Sequence, residues 1–481
     1  MPRGFLVLIF ISFFQTIHAQ TIEVKLSPVM GMLNLLETLQ GATGTSPTLR
    51  KQAEEQLPAN VWQKALQDYQ NLRTEYQFIR EGYPSSRKVI LSTRKLLMLA
   101  AAHATDLEDF QTRITGILPN QDMIRLIAIL KSIEPHYRKT FWEPYLTTLE
   151  SMQQEMISRI PRLLPLFKQA KAFYQTAWPE SLPFIVNLYP IPALEGNTAA
   201  TPYGNVLVCG FLTRHPGAAE HRESIIVHEM CHLLFEEQSQ QVQNNIDTWF
   251  NEETSPYRSF AYSYLDEGLA TAIGNGWAEQ QLHGQLDTGQ WYNDPTINGY
   301  AKAIYPLIKT YFTSKHSLDQ SFVHQAVEAF AKSFPRSLFS YDNLLNEVNV
   351  YVDEEDPVGI QQIMTTIRSH FIIRNAWAVS PITATSSLER LKQGNSTHLI
   401  IVDRNQPAVL TSLNQEIPAL RTTLNGLKIT GETILTHMDE TTGNTYIICI
   451  LQQPDHLDKA METLAGQKYL DVEKPSFPVD R

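Results

Sequence analysis

Ser224-Ile-Ile-Val-His-Glu-Met-Cys-His-Leu-Leu-Phe235 is the stretch on which the reading of this chain turns. It holds two histidines four positions apart, His228 and His232, with Glu229 directly after the first. Residues four apart on a helix share one face, one turn apart, so both imidazoles can reach a single cation. Glu229 falls about 100° round the helix from His228. There it can meet a water molecule without itself binding the metal. Ile226, Met230, Leu233 and Leu234 fall on the opposite side. That pattern predicts one face in the core and the other left for chemistry. Cys231 lies on the flank away from Glu229 and reads as a packing residue. The competing reading is a core helix with two incidental surface histidines, and the amphipathic placement weighs against it.

A catalytic zinc site takes three protein ligands and keeps a fourth position for water. No third histidine follows His232 at the spacing used by one large group of zinc peptidases. A second helix, expected over about 260–274, offers a carboxylate in Tyr264-Leu-Asp-Glu-Gly-Leu-Ala-Thr-Ala-Ile-Gly274. Glu267 is the expected third ligand. Gly268 and Ala270 are small, which predicts close approach of this helix to the first. Asp266 and Thr271 are candidates to hydrogen-bond the imidazoles from behind and set their tautomers. Taken alone, Asp266 and Glu267 would read as a solvated helix face. After a His-Glu-x-x-His helix they read as site residues.

His228-Glu-Met-Cys-His232 and Leu265-Asp-Glu-Gly-Leu-Ala270 together resemble the gluzincin group of zinc metallopeptidases, over about residues 181–315. The resemblance implies a zincin-like catalytic domain, with a small mixed sheet whose edge lies along the substrate cleft. It implies one Zn2+ per chain, held by His228, His232 and Glu267, and a peptide or protein substrate. It also implies that Glu229 takes a proton from the attacking water and passes it to the leaving nitrogen. An oxyanion donor is expected downstream of Glu267. Tyr300, in Asn298-Gly-Tyr-Ala-Lys302, is preferred because it begins a helix after a turn; Tyr305 and His324 are the alternatives. The chain has no Gly-x-Met-Glu-Asn run before the histidine helix, so endo- and exopeptidase action both stay open. The strand expected at Asn205–Cys209 is a candidate for pairing with an extended peptide. A reading from a different class is a catalytically silent exported protein used for binding or scaffolding on the same fold. The intact ligand set and base favour the enzyme.

Outward from the motif, the expected fold class is α+β and mostly helical. A signal segment is expected at 1–19, a helical domain at 20–180, the catalytic domain at 181–378 and a small α/β module at 379–481. Arg3 followed by the apolar run Phe5–Phe14 and a small Ala19 reads as a secretory signal, cleaved after Ala19, which predicts a secreted or periplasmic protein. No later run is long and apolar enough for a stable membrane span. Helical spacing from Phe141 through Ile160 predicts a helix, interrupted or kinked by Pro161 and Pro165. The net charge of -11 argues against nucleic acid as a partner. Three cysteines are too few for a disulfide scaffold, and each sits in an apolar run as a small buried hydrophobe. Asp353-Glu-Glu-Asp356 lacks the spacing of a calcium loop and reads as a solvated turn. Oligomeric state leaves no mark in the sequence.

Overall fold

A computed structural model describes residues 21–84, 87, 90–215, 222–373, 375–425, 431–453 and 456–479. The expected signal segment lies outside the described residues. The fold is α+β, mostly helical with small mixed sheets. No helix among the described residues is long and apolar enough to cross a membrane. Contacts divide the chain into two compact units, Met1–Trp249 with Leu265–Val323, and Phe250–Tyr264 with His324–Arg481. The boundaries expected at 180/181 and 378/379 therefore fall inside units, because strands on either side of each boundary pair with one another.

In the first unit that strand is Ile22–Leu26, which pairs in parallel with Phe184–Ile191. The four-stranded sheet runs in the order Ile22–Leu26, Phe184–Ile191, Val206–Leu212, Ala200–Tyr203, the last strand antiparallel to its neighbour. Every residue of Phe184–Ile191 and of Val206–Leu212 is buried. Parallel strands covered on both faces read as continuous apolar runs, as these do. The polar exception, Asn187, donates from Nδ2 to the Ala102 carbonyl at 3.0 Å. Val206–Leu212 has a strand on each side, so both rows of its backbone groups are already used. It cannot receive a peptide as expected; the edge strand on that side is Ala200–Tyr203.

Helices pack around this sheet. Pro28–Leu39 and Pro47–Gln56 each start with a serine cap, Ser27 and Ser46, and a proline where the missing N–H costs nothing. The long helix Leu146–Tyr174 runs unbroken through both Pro161 and Pro165, and Phe141 lies before it in a separate wide turn, Arg138–Trp142. Near its end Phe173 meets Tyr311, Phe312 and Phe322 edge-on, at 6.4, 5.4 and 5.3 Å between ring centres. Arg159 on the same helix pairs with Glu223 at the start of the histidine helix at 2.7 Å. Glu223 is only 2% exposed.

The second unit is built on a six-stranded sheet in the order Ser476–Pro478, Thr433–Asp439, Asn444–Leu451, Thr397–Asp403, Glu347–Tyr351, Asn375–Val379. The last four run parallel; the first two are antiparallel additions. Alternate residues point to opposite faces. Val348, Val350, Leu399, Ile447 and Cys449 join one core with helices Pro357–His370 and Leu457–Gln467. Tyr351, Ile400, Val402, Tyr446 and Ile448 join the other with Pro407–Glu416. The expected α/β module thus takes in two further strands, at 347–351 and 375–379. The first sits between Asn375–Val379 and Thr397–Asp403 by registered parallel pairing.

Candidate metal centre

The histidine helix is described over Arg222–Glu236. Ile226, Met230, Leu233 and Leu234 are each at most 1% exposed, as the periodicity predicts. Val227 and Cys231 are buried as well, so the helix is enclosed on nearly every side. All three cysteines are free and buried, and burial lifts the Cys231 and Cys449 thiols well above their ordinary range.

The partner helix is not one regular element. Leu265–Thr271 is α-helical, and Ala272–Ala278 then widens into a π-helical turn before Glu279–His283. Such wide turns recur at functional sites. Here the turn carries Gly274 against His228, where an added Cβ would stand 2.6 Å from the histidine Cβ and 2.7 Å from its Cα. The close approach expected from Gly268 is therefore made by Gly274. Gly268 instead faces the ring of Tyr300, with an added Cβ 2.8 Å from Tyr300 Cδ1.

This crossing brings His228, His232 and Glu267 together, with one donor atom of each within 4.8 Å of the others. The two Nε2 atoms are 3.1 Å apart. Glu267 Oε2 lies 3.7 Å from His228 Nε2 and 3.6 Å from His232 Nε2. Four-coordinate zinc with ligand bonds of about 2.0–2.1 Å needs donors about 3.3 Å apart. Two imidazole nitrogens and one carboxylate oxygen are also a donor set that zinc accepts in catalytic sites. By spacing and by chemistry, the residues fit that ion.

Behind the donors, each Nδ1 has a partner. His232 Nδ1 lies 3.0 Å from Asp266 Oδ1, as expected of Asp266. His228 Nδ1 lies 3.0 Å from Asn275 Oδ1. Thr271 is fully buried and takes no part in either contact. Burial, helped by the neighbouring His232, draws the His228 pKa down to about 4. Burial opposes charging of His232 too, but Asp266 and Glu267 outweigh it and hold its pKa well above the usual value. Burial lifts the Glu229 carboxyl to about 7, with His232 opposing and Glu267 and Asp266 adding to the rise.

Tyr300 is 0% exposed, in the helix Pro295–Ser314, and burial raises its hydroxyl pKa far above 10. Tyr305 bonds Gln280 Oε1 at 2.5 Å. His324 belongs to the second unit, where it faces Glu253 at 3.2 Å. Tyr292 instead lies beside the His228 imidazole, partly exposed and stacked on it at 6.0 Å between ring centres and 17° between planes.

Asn275, Gly274 and Tyr292 were not legible from spacing. Asn275 is eight positions after Glu267, which on a regular helix points it about 80° away; the wide turn alters that bearing. The run Gly274-Asn-Gly276, weak in helix propensity inside an otherwise helical stretch, is the one local sign of irregularity. Compared with known proteins, the chain matches no family model, no curated protein and no solved structure.

Proposed function

We propose that this chain is an exported zinc-dependent metallopeptidase of the gluzincin type, with His228, His232 and Glu267 holding one zinc ion and Glu229 as general base. The observation that carries the reading is the convergence of those three donors, each imidazole backed by its own hydrogen-bond partner. When bound, zinc supplies a Lewis acid that polarises the substrate carbonyl. Glu229, one residue round the helix from His228, takes the proton of the attacking water on its carboxylate. It then delivers that proton to the leaving nitrogen. Asp266 and Asn275 hold the two rings so that both Nε2 atoms point inward. Tyr292 takes the donor role expected of Tyr300, because it is partly exposed beside His228 whereas Tyr300 is enclosed. The edge strand Ala200–Tyr203 has a strand on one side only and is the place for an extended peptide to add, with Pro202 contributing no N–H.

The test is proteolysis of an unstructured protein such as casein by the mature chain. Cleavage that a chelator abolishes, zinc restores and Glu229→Gln removes would support the reading. Zinc bound at about one per chain with no cleavage of any protein would favour the silent binding protein.

A further inference from the structure

The side-chain amide of Asn275 bonds in two directions. Its Oδ1 faces His228 Nδ1 at 3.0 Å, and its Nδ2 donates to the Trp291 carbonyl at 3.2 Å. A backbone carbonyl can only accept, so the amide nitrogen must face Trp291 and the amide oxygen must face His228. An oxygen there requires the proton on Nδ1, which leaves His228 Nε2 with its lone pair toward His232 and Glu267. One residue thus sets the tautomer of a ligand and holds a segment of the loop 284–294.

That segment meets the site through two adjacent side chains. Trp291 lies over Gly276 of the wide turn, where an added Cβ would stand 2.8 Å from its Cζ3. Its own N–H is received by Asn298 Oδ1 at 2.8 Å, and its Nε1 donates to the Asp287 carbonyl at 2.8 Å. The next residue, Tyr292, stacks on His228.

We propose that Asn275 is a positioning residue that links metal binding at His228 to the ordering of the loop 284–294. The inference rests on the metal-centre reading above. A cation on Nε2 makes the Nδ1–H a stronger donor, so the bond to Asn275 Oδ1 tightens. The polarised amide then donates more strongly to the Trp291 carbonyl, since hydrogen bonds in a chain reinforce one another. Linkage is reciprocal, so ordering the loop raises metal affinity by the same factor that metal raises loop order.

Hydrogen exchange of peptides covering 284–294, with and without zinc, tests this on the full mature chain. Zinc affinity is read in parallel by competition with a chromophoric chelator. In the parent, zinc should slow exchange in this loop. Asn275→Ala should lose about 10–100-fold in zinc affinity and show no loop response. Asn275→Asp keeps an acceptor for His228 but sets a carboxylate against the Trp291 carbonyl. It should keep zinc affinity closer to the parent and still lose the loop response. A parent that binds zinc with unchanged loop exchange overturns the link and leaves the metal centre standing. A full loop response in Asn275→Asp also overturns it. A folded parent that binds no zinc overturns both the link and the centre. Should Asn275→Ala not fold, the parent and Asn275→Asp still decide.

Discussion

Gly274 lies directly against His228, so close that a single methyl group at 274 would fall 2.6 Å from the histidine Cβ. The contact is backbone to backbone, and no rotamer change can relieve it. Gly274→Ala should therefore push the two helices apart, at a cost of about 1–3 kcal/mol, and pull Glu267 away from the histidines. Thermal unfolding and zinc content read the two effects separately. Unchanged stability and full zinc occupancy would mean that the helices do not cross this closely.

Glu267 and Glu229 should behave differently. Glu267→Ala removes a donor, and zinc content should fall from about one per chain towards zero. Glu229→Gln keeps every donor, so zinc should stay while peptide hydrolysis falls at least about 100-fold. Equal loss of zinc in both variants would contradict the division into ligand and base.

Asp266 and Thr271 were both expected behind the imidazoles, and only Asp266 reaches one. Asp266→Ala should weaken zinc binding about 10–100-fold. Thr271→Val, at a buried position where the hydroxyl has no hydrogen-bond partner among the described residues, should leave zinc affinity unchanged and stability within about 1 kcal/mol. A chelator competition on the two variants side by side checks both halves. A comparable loss in Thr271→Val would restore the residue to the site.

In the second unit, His398 is fully buried, with Nδ1 3.2 Å from the Tyr351 hydroxyl and its ring stacked on Tyr446 at 5.1 Å. Burial, with Arg390 adding, lowers its pKa to about 4. The unfolded chain takes up this proton near pH 6.5, so between about pH 6.5 and 4 the unfolded state binds more protons than the folded one. Stability contributed by neutral His398 is thus complete above that range. It declines as the pH falls, by at most about 1.4 kcal/mol per pH unit. Denaturant unfolding of parent and His398→Gln across pH 4–7 should give a shallower acid loss in the variant. Parallel curves would show that His398 charges without cost in the folded state.

How much was readable in advance depended on how local the cause was. The pairing of His228 with His232, and the bearing of Glu229 beside them, follow from the turn of one helix. The buried stripe of Ile226, Met230, Leu233 and Leu234 was legible for the same reason. The two strands at 347–351 and 375–379 were missed because each is five residues long and is stabilised by neighbours far along the chain. The edge strand next to Val206–Leu212, Ala200–Tyr203, could not be told from its neighbour, since strand order is not written in either strand.

The amino-acid sequence by itself determined the donor types, the spacing of the two imidazoles and a carboxylate motif able to complete them, because these depend on covalent order and helical repeat alone. Tertiary structure decided which small residue admits the second helix, which partner stands behind His228 and which aromatic ring lies beside it. Gly274, Asn275 and Tyr292 take those places through one wide helical turn and one helix crossing. Both are products of packing between segments distant in sequence, and no local periodicity encodes them.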